Sequence, residues 1–210
     1  MTLPDPQARQ AICFALDTSL SMDGEKLNGL NAGLGELFKL AKANRDSWTG
    51  IDIAVVAFGP GVRTVLDFSS PAQQDAPRLT AGGATPMGQA VELCLQMIDK
   101  YQRASNRRPA VLVIVADGRP TDDTLQAAQR CSVMSQGNQL VVYPIAIGRD
   151  ADRAGLEQFA PNVHVRETEP SAMTDLFREL AQDVMGSAKP KSVFDKAVVP
   201  WNEAMRTNNR

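Results

Sequence analysis

The sequence predicts a doubly wound α/β fold, in which helices cover both faces of a mostly parallel sheet in three layers. Short apolar segments alternate along the chain with amphipathic segments of helical period, which is typical of this class. Several apolar segments lack polar alternation, which indicates strands buried on both faces. One strand pair is joined by a loop too short for a parallel crossover, which predicts an antiparallel strand at the sheet edge.

The composition is that of a chain that can bury a core of its own. Of 210 residues, 43% are hydrophobic, so neither a disulfide nor a metal is needed merely to fold. The 22 basic and 24 acidic residues give a net charge of -2, which argues against a nucleic-acid-binding surface. Cys13, Cys94 and Cys131 lie among apolar neighbours without metal-ligand spacing, so we expect free thiols in a reducing compartment. The polar start and the lack of an apolar run of ~20 residues predict a cytoplasmic protein without a membrane contact.

The first half of the chain predicts two buried strands, a helix and an edge strand. Residues 11–16 are an apolar run, and residues 27–41 carry apolar side chains with a period near 3.6. Residues 51–58 are a second apolar run. The short turn at 59–61 and the alternation over 62–68 predict a half-exposed strand that runs antiparallel to the second one.

The second half continues the alternation of helices and strands and completes one predicted domain. After a polar loop, helices are expected over 87–101, from 120 onward, around 156–159 and over 173–184, and strands over 110–116, 140–147 and about 163–165. We therefore predict one domain at residues 11–187, preceded by a polar lead-in at 1–10. Residues 188–210 are too few for a domain and are expected to fold back on the core or to dock a partner.

Two predicted strands end in carboxylates, Asp17 and Asp117. If the strand order is 3-2-1-4-5-6, these strands are neighbours at the reversal of order, where open α/β sheets bind ligands. Ser19, Ser21 and Thr85 add hydroxyl groups to the same edge. Two close carboxylates repel each other unless a positive charge lies between them. An all-oxygen set without His or Cys favours Mg²⁺, Mn²⁺ or Ca²⁺ over zinc.

In these residues the sequence resembles the von Willebrand factor A family. The resemblance rests on DTSLS at residues 17–21, GGATPMG at 82–88 and ADGRPTDD at 116–123, and it extends over nearly all of residues 11–187. It implies a Rossmann-like fold with a metal-ion-dependent adhesion site. The resemblance implies that Ser19 and Ser21 ligate the metal directly and that Thr85 ligates it when a ligand is bound. It also implies that Asp17 and Asp117 contact the metal directly or through water.

The resemblance also implies a function, a non-enzymatic module that binds a Glu or Asp of a partner protein through the metal. The DGRPTDD continuation and the small format look like the bacterial tellurium-resistance TerY type. Relatives of that type imply a stress response with kinase or phosphatase partners. Leu20 departs from the family, in which many members carry Gly there, so we expect a differently shaped loop.

Simpler interpretations exist for single residues. Thr85 before Pro86 is typical of a helix N-cap, and Ser19 and Ser21 are compatible with loop hydroxyls or caps of the first helix. The Gly82-Gly83 pair is compatible with phosphate binding. Four carboxylates are expected in first turns of helices, where the helix dipole favours them, and not as metal ligands: Asp23, Glu25, Asp122 and Asp123. His164 is expected in a late strand, away from the crevice.

Two other functions remain open. The first is a Mg²⁺-dependent phosphatase with Asp17 as nucleophile. Against it, Ser19 stands where such an enzyme needs a carboxylic acid, and no lysine is expected at the site. The second is a scaffold that binds through residues 188–210, in which case the metal is structural.

Overall fold

The computed structural model describes residues 9–103 and 108–186, which form a six-stranded sheet between two layers of helices. The strands β1–β6 are Gln10–Asp17, Ile51–Phe58, Val62–Ser69, Ala110–Ala116, Leu140–Ile147 and Arg166–Thr168. The helices α1–α5 are Glu25–Ala43, Met87–Gln102, Leu125–Gln136, Arg153–Glu157 and Met173–Gly186. The predicted fold class is confirmed.

The strand order is β3-β2-β1-β4-β5-β6, which is the order under which Asp17 and Asp117 are expected to meet. All neighbours run parallel except β2 and β3, which are antiparallel. The order reverses between β1 and β4, where Leu16 pairs with Val115. Both strands therefore leave the sheet at the same edge, which places Asp17 and Asp117 side by side in the crevice beyond the strand ends.

The two helical layers divide the core into halves on either side of the sheet. The alternate β1 residues Ile12, Phe14 and Leu16 face the half that α1 and α5 cover, and Cys13 and Ala15 face the half of α2 and α3. Phe14 stacks on Phe177 of α5, with ring centroids 5.7 Å apart. This layering buries both faces of β1 and fixes the position of its carboxyl end, since a slip by one residue would exchange the two faces.

Three predicted elements are wrong in their bounds. The helix expected around 156–159 is Arg153–Glu157, so Phe159 lies outside it. The last strand is Arg166–Thr168 rather than about 163–165, because the N–H of Val163 is used by a turn that bonds the carbonyl of Ala160 at 3.0 Å. Helix α3 begins at Leu125 rather than near Pro120, because residues 118–124 form the loop that crosses to the start of α2.

The predictions for the cysteines and for the two ends of the domain compare with the structure as follows: the cysteines are described, whereas most of the two ends is not. Cys13, Cys94 and Cys131 are buried free thiols. Gln10, placed in the predicted lead-in, is instead the first residue of β1. The rest of the lead-in before Arg9, and the predicted tail at 188–210, lie outside the described residues. Within residues 9–103 and 108–186, no helix has the length and apolar character needed to cross a membrane.

Candidate metal centre at the carboxyl edge of the sheet

The five predicted ligands come from three segments that meet at this edge. Asp17, Ser19 and Ser21 lie at the end of β1 and in the turn before α1, Thr85 lies just before α2, and Asp117 follows β4. Four of the five are buried, and Ser21 is exposed. The segments therefore form a polar cluster that is closed from below by the sheet and reaches solvent at Ser21.

A chain of hydrogen bonds joins four of these residues. The N–H of Ser19 donates to Oδ1 of Asp17 at 2.7 Å. The hydroxyl oxygens of Ser19 and Ser21 lie 3.0 Å apart, and Ser21 donates to Oδ1 of Asp117 at 2.7 Å. A serine that donates its proton to a carboxylate keeps its lone pairs free to accept or to ligate a cation.

Thr85 lies beside this chain without a hydrogen bond to it in the described structure. A Cβ placed on Gly118 would be 3.5 Å from Oγ1 of Thr85 and 3.7 Å from Oγ of Ser21, so both hydroxyls border the same small space. Thr121 fixes the backbone of Thr85 from across the crevice. It accepts the Thr85 N–H at 3.1 Å through its hydroxyl, and its own N–H donates to the Thr85 carbonyl at 3.0 Å.

The helix-cap interpretations of these hydroxyls are wrong. Helix α2 begins at Met87 with Pro86 at its N-cap position, and Thr85 provides no side-chain cap. Helix α1 has Gly24 at its N-cap position, so Ser19 and Ser21 do not cap it. All three hydroxyls are thereby left without a structural role at a helix start.

Two glycines let the surrounding loops approach closely. Gly83 has a φ of +70°, and a Cβ there would lie 2.4 Å from the carbonyl oxygen of Gly59. The carbonyl of Gly83 accepts the N–H of Leu20 at 3.2 Å, and Gly82 donates its N–H to the carbonyl of Thr18 at 2.8 Å. The glycine pair therefore holds the DTSLS turn, and the Gly82 N–H is not free to bind a phosphate.

Asp17 is the most unusual group of the cluster. Its Oδ2 is buried and has no hydrogen-bond partner among the described residues. Burial raises the pKa of Asp17 to about 6, hydrogen bonds from Ser19 oppose this rise, and the negative charge of Asp117 adds to it. A buried carboxylate oxygen without a partner is costly unless a cation compensates it, so the donor set fits a hard divalent ion.

The site also contains Lys26, which sequence reasoning missed. Its Nζ donates to Oδ2 of Asp117 at 2.5 Å, and the carboxylate side chain is only 1% exposed. The expectation that no lysine is positioned at this site is therefore wrong. The available signal was its place as the second residue of α1, since the helix that follows the DTSLS turn begins at the same edge of the sheet.

The other acidic residues of these loops lie outside the cluster. Asp122 is expected in the first turn of α3, but it precedes that helix. Its carboxylate accepts the N–H groups of Gly88 and Gln89 at the start of α2 instead. Asp123 likewise precedes α3 and accepts the N–H of Leu125 at 2.9 Å. Within the described ranges no three His, Cys, Asp or Glu side chains group to hold a metal ion. A metal at this edge would therefore depend on the hydroxyl groups.

The other residues expected outside the chemistry are Asp23, Glu25 and His164. Glu25 is in the first turn of α1, as expected, whereas Asp23 precedes the helix. His164 is exposed and belongs to no strand. It comes before the amino end of β6, and this parallel strand starts at the edge of the sheet opposite the candidate centre.

The fold and this cluster define a doubly wound α/β domain with an oxygen-lined centre where the strand order reverses. The sequence matches the profile of the von Willebrand factor type A domain over residues 11–179, and the chain belongs to this family. No curated protein sequence matches the chain.

Several solved structures share the fold. A von Willebrand factor type A protein from Catenulispora acidiphila is 22% identical with a TM-score of 0.66, over 85% of this chain and 43% of that one. The vWF domain of the type V pili tip protein Mfa5 from Porphyromonas gingivalis is 12% identical with a TM-score of 0.66, over 90% of this chain and 99% of that one. The ArnB paralog VWA2 from Sulfolobus acidocaldarius is 19% identical with a TM-score of 0.54, over 85% of this chain and 44% of that one. The chain thus spans less than half the length of the first and the third.

Proposed function

We propose that this chain is a non-enzymatic protein-binding module that holds a divalent cation, Mg²⁺ or else Mn²⁺ or Ca²⁺, at its candidate centre. The observation that carries the proposal is the buried Asp17, whose Oδ2 has no hydrogen-bond partner in the described part of the chain and lies beside a chain of hydroxyl groups. Asp17, Ser19, Ser21, Thr85 and Asp117 would hold the ion. When bound, the cation supplies an electrophilic centre for an anionic ligand.

The ligand that suits such a centre is a carboxylate of a partner protein. The hydroxyls of Ser19 and Ser21 contribute no negative charge, so an ion that they ligate remains strongly attractive to an anion. Ser21 is exposed, which leaves that side of the cluster open to a partner. A Glu or Asp side chain from the partner would complete the coordination.

Two exposed apolar side chains at the same edge support a protein ligand. Leu20, in the DTSLS turn, is 68% exposed, and Leu125, at the start of α3, is 62% exposed. Apolar area that a partner protein covers adds to the favourable free energy of association. Leu20 is also the position at which the sequence departs from the family, so it favours a partner with its own apolar contact.

The partner class rests on the resemblance to the TerY type. The DGRPTDD segment that carries it contains Asp117 and Asp122, two residues that form the centre or hold its loops. This supports a role in a bacterial stress-response system of the tellurium-resistance kind, with a kinase or phosphatase as partner. We expect the module to act in the cytoplasm.

A pull-down from the native cell tests the proposal. Tagged protein comprising residues 1–210 is incubated with lysate in Mg²⁺ or in EDTA, and the retained proteins are identified by mass spectrometry. We expect a partner that is retained only with Mg²⁺ and is lost in the double variant Ser19→Ala with Ser21→Ala. Retention of the same proteins in EDTA would refute metal-dependent binding and make residues 188–210 the leading candidate, which their deletion would test.

A matched control separates loss of the centre from loss of two hydroxyls. Ser47 and Thr49 are exposed and precede β2, at the opposite edge of the sheet. The double variant Ser47→Ala with Thr49→Ala should retain the partner in Mg²⁺ as the wild type does. Equal losses in both double variants would point to a general effect on the surface or fold.

Lys26 gives the phosphatase hypothesis one observation in its favour. Its ammonium group beside Asp117 supplies the positive charge that the sequence alone did not place there. Against it, Asp17 is fully buried and position 19 still carries a hydroxyl in place of an acid. Turnover of p-nitrophenyl phosphate with Mg²⁺ that disappears in Asp17→Asn would favour the enzyme, and no turnover above buffer would count against it.

A further inference from the structure

Lys26 is built into the candidate centre on two sides. Its ammonium group bonds Asp117 at 2.5 Å, and its side chain is 26% exposed. The end of the side chain also packs beside Gly148, the residue that follows β5, since a Cβ placed there would lie 3.1 Å from Cε and 3.7 Å from Nζ of Lys26. Gly148 has a φ of +87°, so the glycine both forms the turn and makes room for the lysine.

We infer that Lys26 determines the ligand specificity of the proposed metal centre by giving the occupied centre a net positive charge. The inference rests on the proposed function. The positive charge of Lys26 lowers the affinity of the centre for the cation alone. A carboxylate bound together with the cation offsets this charge and raises the affinity. Lys26 is thus a residue that couples metal binding to an acidic partner.

The inference follows from the charges of the side chains in the centre. When ionised, Asp17 and Asp117 bring two negative charges, and the ammonium group of Lys26, 2.5 Å from Oδ2 of Asp117, neutralises one of them. A divalent cation then leaves the centre with one positive charge, which one partner carboxylate neutralises. Without Lys26, the two aspartates would balance the cation alone, and the demand for an anionic ligand would fall.

The hydrogen bonds explain why the lysine acts through Asp117. Both oxygens of Asp117 are occupied, Oδ1 by the hydroxyl of Ser21 and Oδ2 by Lys26. A cation held by Ser21 would be attracted by Asp117, a carboxylate whose charge is already shared with the ammonium group. The attraction that Asp117 exerts on the metal is thereby weakened, and repulsion from Lys26 adds to the effect.

Titration of residues 1–210 with Mn²⁺, followed by calorimetry and by the electron paramagnetic resonance of free Mn²⁺, tests the inference. We expect Lys26→Met to bind Mn²⁺ about tenfold tighter than the wild type. Lys26→Arg, which keeps the charge, should stay within about twofold. Lys39→Met is the matched control, because Lys39 is 74% exposed on the same helix and pairs only with Glu36 within the described structure.

Sodium acetate serves as the probe for the partner carboxylate, compared with sodium chloride at equal ionic strength. Acetate should raise the Mn²⁺ affinity of the wild type more than that of Lys26→Met.

If the wild type binds Mn²⁺ and Lys26→Met binds no tighter, or acetate acts equally on both, the role of Lys26 is overturned while the metal centre stands. If neither protein binds Mn²⁺, the proposed centre itself fails. Lys26→Gln provides a second neutral variant, and circular dichroism verifies the folding of each protein.

Discussion

The backbone N–H of Gly88 donates a hydrogen bond of 3.0 Å to Oδ1 of Asp122. Oδ2 of the same carboxylate accepts the N–H of Gln89 at 2.8 Å. Gly88 lies in the first turn of α2, just after Thr85, and Asp122 lies in the loop that follows Asp117. A carboxylate outside the five predicted ligands thus caps α2 from a distant segment and holds the two sides of the centre together.

Replacing Asp122 should loosen this connection. We expect Asp122→Ala to lower the free energy of unfolding by about 1–2 kcal/mol, because two N–H groups at the helix start lose their acceptor. Urea denaturation of the wild type and the variant measures the change. Asp150→Ala removes an exposed carboxylate from another loop and should change the stability by less than about 0.5 kcal/mol. Equal stabilities of the two variants would contradict a capping role for Asp122.

Much of the fold follows from the sequence because its core strands are apolar on both faces. The bounds of β2, β4 and β5 match the predicted runs at 51–58, 110–116 and 140–147. Strand β6 was misplaced because it has three residues, is largely exposed and carries no apolar pattern. Its position depends on pairing with β5, which a local pattern does not encode.

The candidate centre was predictable as a set of residues, but its electrostatics were not. Strand ends and the strand order bring Asp17 and Asp117 to one edge, which sequence reasoning can reach. The ion pair of Lys26 with Asp117 depends on the orientation of α1, and the capping by Asp122 on the path of a loop. Both are contacts between segments more than thirty residues apart. The position of Lys26 at the start of α1 indicates that it lies near this edge of the sheet, but no spacing along the chain pairs it with Asp117 or Asp122 with the start of α2.

The contact of Gly83 with Gly59 predicts a cost for any side chain at position 83. Gly83→Ala places a Cβ 2.4 Å from a backbone carbonyl and forces a φ of +70° on alanine, so we expect a loss of at least about 2 kcal/mol. Gly35→Ala is the matched control, because nothing lies within 4 Å of a Cβ there and position 35 is inside α1. That change should stabilise the protein by about 0.5–1 kcal/mol. Thermal and urea denaturation compare the two, and a neutral Gly83→Ala would contradict the packing described.

The raised pKa of Asp17 predicts an unusual pH dependence for the metal-free protein. The folded carboxyl has a pKa of about 6 against 3.8 for an ordinary aspartate, so the folded state binds more protons between these values. The contribution of Asp17 to stability is therefore most favourable below about pH 4 and is lost as the pH rises through 6. Its full size is at most about 3 kcal/mol.

Asp17→Asn isolates this contribution from the other carboxyl groups, which titrate in the same range. With EDTA present, the unfolding free energies of both proteins are measured from about pH 4.5 to pH 7.5. The wild type should gain stability relative to Asp17→Asn as the pH falls. A difference that stays constant over this range would mean that the carboxyl of Asp17 titrates normally.

Divalent cations should stabilise the folded protein through the same carboxylate. An ion that binds only the folded state adds about 2.7 kcal/mol at a hundred times its dissociation constant, which for a domain of this size raises the Tm by roughly 5–10 °C. Thermal denaturation with Mg²⁺, Mn²⁺ or Ca²⁺, against KCl of equal ionic strength, ranks the three metals. The double variant Ser19→Ala with Ser21→Ala should lose the shift, because it lacks two ligands, whereas Ser47→Ala with Thr49→Ala should keep it. A shift of the same size in both double variants would place the bound ion elsewhere on the protein, since the two substitution pairs lie at opposite edges of the sheet.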